Sequence, residues 1–191
     1  ILLLDREASV AVAAAERLNE LLGFEVARGE ELDVRDGGSV EKALRGIDAT
    51  LSAVPYFFNP SIALACIHAG SHMVDLGGNT DVSQRVLKMN AQAAEAGVSI
   101  IPDCGLAPGM ANTLAVYGMS YMDEVDSIQL RCGGLPQNPR PPLLYKVVFN
   151  IAGLTNEYFG VANFLREGKV VQVETFSELE EIEFDAPVGR C

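Results

Sequence analysis

The sequence has few of the residues that build metal centres or disulfide frameworks. It carries two histidines and four cysteines in 191 residues, and the cysteines show no C-x-x-C spacing. Two histidines cannot complete a common zinc pattern, and cysteines at this density do not form a disulfide framework. We therefore expect no metal site and a reducing compartment, the cytoplasm.

Basic residues and long apolar runs are also scarce. Fourteen Lys and Arg oppose 26 Asp and Glu, which gives a net charge of −12. This excess of negative charge argues against a nucleic-acid or anionic-lipid partner. No apolar run approaches the roughly 20 residues that a membrane span needs, and the N-terminus lacks the basic stretch of a signal peptide. Apolar residues make up 49% of the chain, which is enough for a core and excludes a wholly disordered chain.

Short apolar runs alternate with helical patterns up to about Pro108. The runs predict strands at residues 1–4, 24–27, 49–54, 72–76 and 98–101. Helices are predicted between them, at 9–22, from 39 to just before Gly46, from Pro60 to 69, and at 81–96. This order predicts an α/β fold with a doubly wound parallel sheet, which binds ligands beyond the carboxyl ends of its strands.

The pattern changes after Pro108, and we expect residues 109–191 to form a second, α+β domain. Helices are predicted at 110–122 and 151–165, and a loop at 136–142. Strands are predicted at 127–132, 145–149, 169–173 and 178–184, without regular crossover helices between them.

Asp5 closes the first predicted strand. In dinucleotide-binding folds, an acid at this place accepts hydrogen bonds from the adenosine ribose, about 20 residues after a glycine-rich phosphate loop. The sequence contains no G-x-G-x-x-G, so either that loop precedes residue 1 or Asp5 only ends a strand. If Asp5 binds ribose, its charge favours NAD over NADP, although the neighbouring Arg6 weakens this preference.

Two further sets of residues are candidates for chemistry. Asp75 lies at the end of a strand predicted to be central and precedes Gly77 and Gly78, which would let a cofactor ring approach the backbone or would simply form a turn. Tyr145 and Lys146 could hold a substrate carboxylate, or could be a packed ring and a solvated cation.

Several short motifs, in their order and spacing, carry a family resemblance over nearly the whole chain. They are Ala53-Val54-Pro55-Tyr56, Val74-Asp75-Leu76-Gly77-Gly78, Ile101 to Met110, Cys132-Gly133-Gly134-Leu135-Pro136, Pro141 to Lys146 and Phe184 to Gly189. Together they resemble the saccharopine dehydrogenase and lysine 6-dehydrogenase family.

The resemblance implies an incomplete Rossmann-like domain at 1–108 and a partial substrate-binding and dimerisation domain at 109–191. It implies an NAD(P)-dependent enzyme that acts on the amine carbon of a small amino-acid substrate, as a homo-oligomer (a dimer). It assigns Asp75 and Cys132 as catalytic candidates, and Gly133, Gly134, Tyr145 and Lys146 to substrate binding. The cofactor would contact Asp5, Arg6, Asp33, Val34, Ala53, Val54, Pro55, Tyr56, Asp75 and Gly77.

Within this family the motifs look closer to lysine 6-dehydrogenases. Saccharopine reductases typically carry an acid where this chain has Ala107, and a Tyr where it has Gly78. We therefore expect NAD-dependent oxidative deamination of the lysine ε-amino group, with NADP as the other cofactor. Two alternatives remain: a saccharopine dehydrogenase, and a non-catalytic dinucleotide-binding or oligomerisation module. Because pyrophosphate binding needs the glycine loop, we expect residues 1–191 alone to bind NAD weakly and to be inactive.

Overall fold

The alternation of strands and helices expected for the first half of the chain is present in the structure. A computed structural model describes residues 1–134, 136–142, 144–147 and 149–191. The chain divides into two units, Ile1–Gly109 and Met110–Cys191. The elements of the first unit are β1 (Leu2–Asp5), α1 (Ala8–Leu22), β2 (Arg28–Glu31), α2 (Gly37–Leu44), β3 (Ala49–Ser52), a 3₁₀ turn (Tyr56–Phe58), α3 (Asn59–Ala69), β4 (His72–Asp75), α4 (Thr80–Leu87), α5 (Asn90–Ala96) and β5 (Ile100–Ile101).

All strand pairs of the first unit are parallel. Strand β1 pairs with β2, and a second sheet has the order β3-β4-β5, so that β4 is its central strand. Ser52 and Asp75 are register partners at the carboxyl ends of β3 and β4. Helices connect the successive strands, as parallel pairing requires. The α/β class with a Rossmann-like parallel sheet is therefore confirmed.

The main core lies where α2, α3 and α4 meet the β3-β4-β5 sheet. Its most deeply buried members are Ala63, Cys66, Met73 and Val86, all at most 2% exposed. Helix α3 is apolar on several sides because it packs against both the sheet and its neighbouring helices. Burial of each large apolar side chain contributes about 1.5–3 kcal/mol, which anchors the strand ends that carry the site.

Capping side chains determine where the site helices begin. Asn79 precedes α4, and its Oδ1 accepts a hydrogen bond from the N–H of Val82 at 3.1 Å. Asp36 caps α2 in the same way through the N–H of Ser39. A cap of this type stabilises a helix by about 1 kcal/mol, so the short α4 starts at a defined distance from the end of β4.

Two predictions for the first unit are wrong in detail. The strand predicted at 24–27 is not formed, and β2 begins at Arg28. The side chain of Asn19 binds the backbone of this segment instead, accepting from the N–H of Val26 and Ala27 at 2.8 Å each. The single helix predicted at 81–96 is two helices, α4 and α5, separated at Lys88 and Met89.

The second unit contains α6 (Met110–Met119), α7 (Ile151–Asn156), β6 (Val161–Arg166), β7 (Lys169–Glu174), β8 (Glu183–Phe184) and β9 (Gly189–Arg190). Strands β6 and β7 form an antiparallel hairpin, and so do β8 and β9. The helix predicted at 151–165 is therefore wrong beyond Asn156, since Val161 to Leu165 pair with β7. Pairing across the hairpin satisfies the backbone groups that a helix would have satisfied internally.

Other strand predictions for the second unit also fail. Residues 127–132 form no strand, and only the last two residues of 178–184 do. Of the strand predicted at 145–149, Val148 lies outside the described residues, and the other four are not in a strand. Within the described ranges, no helix is both long and apolar enough to cross a membrane.

Candidate functional site

Asp75 lies at the carboxyl end of the central strand of the β3-β4-β5 sheet and is 1% exposed. Its Oδ1 accepts hydrogen bonds from the N–H of Gly77 at 2.7 Å and of Asp103 at 3.1 Å. Its backbone carbonyl accepts from the N–H of Cys104 at 2.7 Å. The carboxylate is thus fixed by the loops that follow both β4 and β5.

Asp103 lies directly beside Asp75, after β5. Its Oδ1 accepts a hydrogen bond from the Ser83 hydroxyl of α4 at 2.7 Å. A Cβ atom at Gly77 would lie 2.6 Å from this same Oδ1 and 2.9 Å from Cγ of Pro108. The packing of Asp103 and Pro108 therefore requires a glycine at position 77, independently of any ligand.

The environment of Asp75 raises the pKa of its carboxyl group. Burial raises the pKa of the Asp75 carboxyl, the two N–H donors act in the opposite direction, and the negative charge of Asp103 raises the pKa further. Desolvation also raises the pKa of the Cys104 thiol, and the charges of Asp75 and Asp103 add to this. A thiolate nucleophile is thereby disfavoured at Cys104.

The end of β3 borders the same edge of the sheet. The buried Ser52 hydroxyl donates to Oδ1 of Asn59 at 2.8 Å, which joins β3 to the start of α3. The predicted cofactor residues Ala53, Val54 and Pro55 form the link between β3 and the 3₁₀ turn. Tyr56 packs against Gly78, where an added Cβ would lie 3.0 Å from the tyrosine Cβ. The structure thus brings Tyr56 to the loop that follows Asp75.

A second polar cluster lies at the carboxyl ends of β1 and β2. The Asp5 carboxylate accepts from the N–H of Glu7 at 2.9 Å, and the Arg6 guanidinium is 3.8 Å from the Glu7 carboxylate. The side-chain hydrogen bond from Arg35 lowers the pKa of Asp33 to about 2, and the charge of Arg6 also lowers it. Asp33 is therefore paired with Arg35, and Val34 lies between them in the chain.

The donors and acceptors of this cluster fit the adenosine end of a dinucleotide. The exposed Asp5 carboxylate can accept from ribose hydroxyls, and the exposed Arg6 can pair with a 2′-phosphate. Asp33 is a weaker candidate, because its carboxylate already accepts from Nε of Arg35 at 2.9 Å. Among the described residues, no group of three or more His, Cys, Asp and Glu side chains could hold a metal ion.

The substrate-binding residues predicted from the sequence lie in the second unit. Gly134 and Tyr145 are in contact, since a Cβ at Gly134 would lie 2.5 Å from Cζ of Tyr145. The N–H of Lys146 donates to the carbonyl of Gly134 at 3.3 Å. Burial raises the pKa of Tyr145, and negative charges nearby, first that of Glu157, raise it further. The structure therefore brings together three of the predicted residues, whereas Cys132 and Gly133 are exposed in the preceding segment.

Tyr145 and Lys146 border a cavity of about 610 Å³ in the second unit. Its lining carries two cations and two amides and comprises Pro136, Gln137, Asn138, Arg140, Tyr145 and Lys146. Arg140 and Lys146 supply positive charge, and the described lining residues include no acid. This donor set suits carboxylate groups.

Reasoning from the sequence missed several residues of these sites. Ser83 lies inside a helical pattern, and Arg140 lies in a Pro-rich loop without periodicity, so neither gives a local signal. Arg35 could have been found, because Asp-x-Arg two residues apart after a strand is a plausible ion pair.

Two family models together match most of the chain. The model described as "Saccharopine dehydrogenase NADP binding domain" matches residues 1–101. The model described as "Saccharopine dehydrogenase C-terminal domain" matches residues 105–189. A nicotinamide dinucleotide cofactor is thus supported, and the comparisons favour NADP instead of the NAD that the sequence favoured.

Curated relatives agree with these models. Saccharopine dehydrogenase [NADP(+), L-glutamate-forming] of Saccharomyces cerevisiae is 26% identical over 153 residues, covering 75% of this chain and 33% of that protein. Alpha-aminoadipic semialdehyde synthase, mitochondrial, of Mus musculus is 32% identical over 132 residues, covering 66% of this chain and 14% of that protein. The chain thus spans a third or less of the length of these relatives.

A solved structure has the same fold. The apo histidine-tagged saccharopine dehydrogenase (L-Glu forming) from Saccharomyces cerevisiae superposes with a TM-score of 0.58 at 21% identity, covering 91% of this chain and 43% of that one. Both family models, the curated relatives and this fold agree, and the chain belongs to the saccharopine dehydrogenase family.

Proposed function

We propose that the protein carrying this chain is an NADP-dependent oxidoreductase that oxidises the ε-amine of L-lysine. The observation that carries the proposal is the buried carboxylate of Asp75 at the carboxyl end of the central strand, in a unit that matches an NADP-binding family model. Ligands of open α/β sheets bind at this edge. A buried acid at this edge is a candidate proton acceptor.

The proposed reaction converts the lysine ε-ammonium group, oxidised cofactor and water into a semialdehyde, ammonium, reduced cofactor and one proton. Bound NADP would supply the hydride acceptor. Two electrons leave the ε-carbon with its hydrogen, and the nitrogen lone pair forms the imine bond. The nitrogen must therefore lose a proton before the hydride leaves.

Asp75 is the residue to which we assign this proton transfer. Its Oδ1 is fixed by two backbone donors, so the carboxylate has one defined orientation. Asp75 is 1% exposed, so bulk water does not surround its carboxylate. The proton of the substrate amine would therefore pass to Asp75 directly or through one ordered water. Once that proton, the one released in the overall reaction, has passed to solvent, the carboxylate can orient the water that hydrolyses the imine.

We assign the remaining residues to cofactor and substrate. Asp5 and Arg6 would hold the ribose and the 2′-phosphate, because they offer an acceptor and a cation at the end of β1. Asp33, Val34, Ala53, Val54, Pro55, Tyr56 and Gly77 complete the cofactor set. Tyr145 and Lys146, with Cys132, Gly133 and Gly134, would bind the substrate carboxylate. The working unit would be a homodimer.

Saccharopine is the second candidate substrate. The curated relatives are saccharopine dehydrogenases and aminoadipic semialdehyde synthases, and the second-unit cavity offers two cations, Arg140 and Lys146. Saccharopine carries more carboxylates than lysine, so such a lining would suit it as well. A non-catalytic dinucleotide-binding module is the third candidate function.

The test is to mix the full-length protein with NADP or NAD and either L-lysine or saccharopine, and to follow the absorbance of reduced nicotinamide. We expect reduction with NADP and lysine, and a loss of about 100-fold or more in kcat for Asp75→Asn, with unchanged NADP affinity by calorimetry. Turnover of saccharopine alone would move the function to the second candidate. Tight NADP binding without turnover of either substrate would favour the non-catalytic module.

A further inference from the structure

A chain of hydrogen bonds connects helix α4 to the carboxylate at the end of β4. The Ser83 hydroxyl, which is buried, donates to Oδ1 of Asp103 at 2.7 Å. The N–H of Asp103 donates in turn to Oδ1 of Asp75 at 3.1 Å. Helix α4 is therefore linked, through the loop after β5, to Oδ1 of Asp75 at the end of β4.

The backbone of Asp103 has an uncommon conformation that this contact explains. Its φ angle is +62°, in the left-handed region, where residues other than glycine are disfavoured by about 1–2 kcal/mol. In this conformation Asp103 donates its N–H to the Asp75 side chain, and the next N–H, that of Cys104, bonds to the Asp75 carbonyl. Strained backbone of this kind persists where the surroundings hold it, often at functional sites.

We propose that Asp103, oriented by Ser83, is a positioning residue that sets the direction of the Asp75 carboxylate and places a second negative charge beside it. The inference rests on the proposed role of Asp75 in the reaction. The backbone of Asp103 sets the direction of the carboxylate, and its side chain adds a second negative charge beside it.

Among the side chains around Asp75, that of Asp103 carries the charge that affects the pKa of Asp75. Burial raises the pKa of Asp75, and Asp103 is the charged side chain that raises it further. Ser52, its register partner on β3, and Ser83 on α4 are hydroxyl groups that stay neutral. Helix α3, strand β4 and helix α4 carry five other titratable groups, which are Cys66, His68, His72, Asp81 and Arg85. Asp81 and Arg85 are exposed. The loop after β5 adds Cys104.

Asp103→Asn separates the charge of Asp103 from its geometry. The amide oxygen of Asn keeps an acceptor for Ser83, the backbone N–H is unchanged, and Asn tolerates a positive φ angle better than most residues. Loss of the like charge lowers the pKa of Asp75. We expect the acid limb of the pH profile of kcat/KM to move to lower pH, with the plateau retained. Asp81→Asn removes an equal charge from an exposed position of α4 and should leave the limb in place.

Ser83→Ala tests whether Ser83 orients the side chain of Asp103. Without its hydroxyl donor, the Asp103 side chain is no longer fixed, and we expect kcat on the plateau to fall about tenfold while KM for the amine is retained. Ser61→Ala, at an exposed serine of α3, should keep both constants. An unchanged kcat in Ser83→Ala would overturn the role of Ser83.

A measurement that does not need turnover separates this inference from the proposed function. The full-length protein labelled at the aspartate carboxyl carbons is titrated by ¹³C NMR, and the Asp75 signal is identified by its loss in Asp75→Asn. We expect a lower midpoint for Asp75 in Asp103→Asn than in the wild type. An unmoved midpoint, or an equal shift in Asp81→Asn, would overturn the inference, whereas absent turnover of lysine and saccharopine would overturn only the proposed function.

Discussion

Alanine at position 77 gives a quantitative test of how tightly the site is packed. Gly77 has a φ angle of +78°, and a Cβ there would lie 2.6 Å from Oδ1 of Asp103 and 2.9 Å from Cγ of Pro108. The left-handed conformation costs an L-residue about 1–2 kcal/mol. Displacing packed neighbours costs typically about 1–3 kcal/mol more. We therefore expect Gly77→Ala to lower the free energy of unfolding by about 2–5 kcal/mol.

Gly70 provides a matched control in the same unit. Its φ angle is +76°, but a Cβ there would have no heavy atom within 4 Å. Gly70→Ala therefore carries the conformational cost and the small gain from a stiffer unfolded chain, without the contact. The difference between the two variants, about 1–3 kcal/mol, isolates the packing of Gly77 against Asp103 and Pro108.

Urea denaturation of the full-length protein and its two variants measures this difference, with the midpoints compared at equal slope. Gly77→Ala should also lower turnover, because it displaces Asp103, whereas Gly70→Ala should leave turnover unchanged. Equal stability losses in the two variants would show that Asp103 and Pro108 move aside freely. That result would refute the rigid packing of Gly77 against Asp103 and Pro108 on which the geometry of the site depends.

Three further predictions concern the edges of the two sheets. Ser52→Ala should destabilise the protein by about 1–3 kcal/mol in urea denaturation, because it leaves the buried Oδ1 of Asn59 without its donor. Arg35→Ala should raise the pKa of Asp33 from about 2 towards 3.8 in an NMR titration. The Asp33–Arg35 pair stabilises the fold above pH 3.8, and this stabilisation is lost as the pH falls through about 2. Arg6→Ala should raise KM for NADP about tenfold and leave KM for NAD unchanged.

Two of these predictions, those for Ser52 and Arg6, have a control in the chain. Ser61→Ala removes an exposed hydroxyl that donates to a backbone carbonyl, and should cost less than Ser52→Ala. Arg17→Ala removes an exposed guanidinium from α1 and should alter neither KM. An equal effect of Arg6→Ala and Arg17→Ala on NADP would mean that only the overall charge matters.

The parallel sheet was predictable because buried strands and their helices leave strong local signals. Strand β2 was not, since its residues Arg28 to Glu31 are polar and mostly exposed. Its position is set by tertiary contact instead. A Cβ at Gly29 would lie 2.2 Å from the backbone of Ala11, so α1 lies directly on this strand. Only a glycine permits this approach. The residues before β2, where a strand was predicted, are instead bound by the side chain of Asn19.

The second unit shows where local patterns mislead. Residues 151–165 alternate in a way that suits a helix, yet the helix ends at Asn156 and a hairpin strand begins at Val161. Gly160, with a φ angle of +88°, turns the chain between them. The pairing of β6 with β7 supplies the backbone hydrogen bonds, and a single-sequence reading of propensities cannot weigh a contact that β7 makes later in the chain.

The site at Asp75 combines predictable and unpredictable parts for a physical reason. Asp75 was found because an acid and two glycines after a buried strand mark the edge where ligands bind. The residues linked to it come from two other segments, and neither gives a local signal. Ser83 is one polar residue in a helix, and Asp103 simply follows a predicted strand. What joins them is the left-handed turn at Asp103, which places one N–H on the Asp75 carboxylate and a side-chain oxygen on Ser83. A substitution at Asp103 that cannot adopt this turn should therefore disturb Asp75 even if it retains the charge, whereas Asn should retain the turn and lose only the charge.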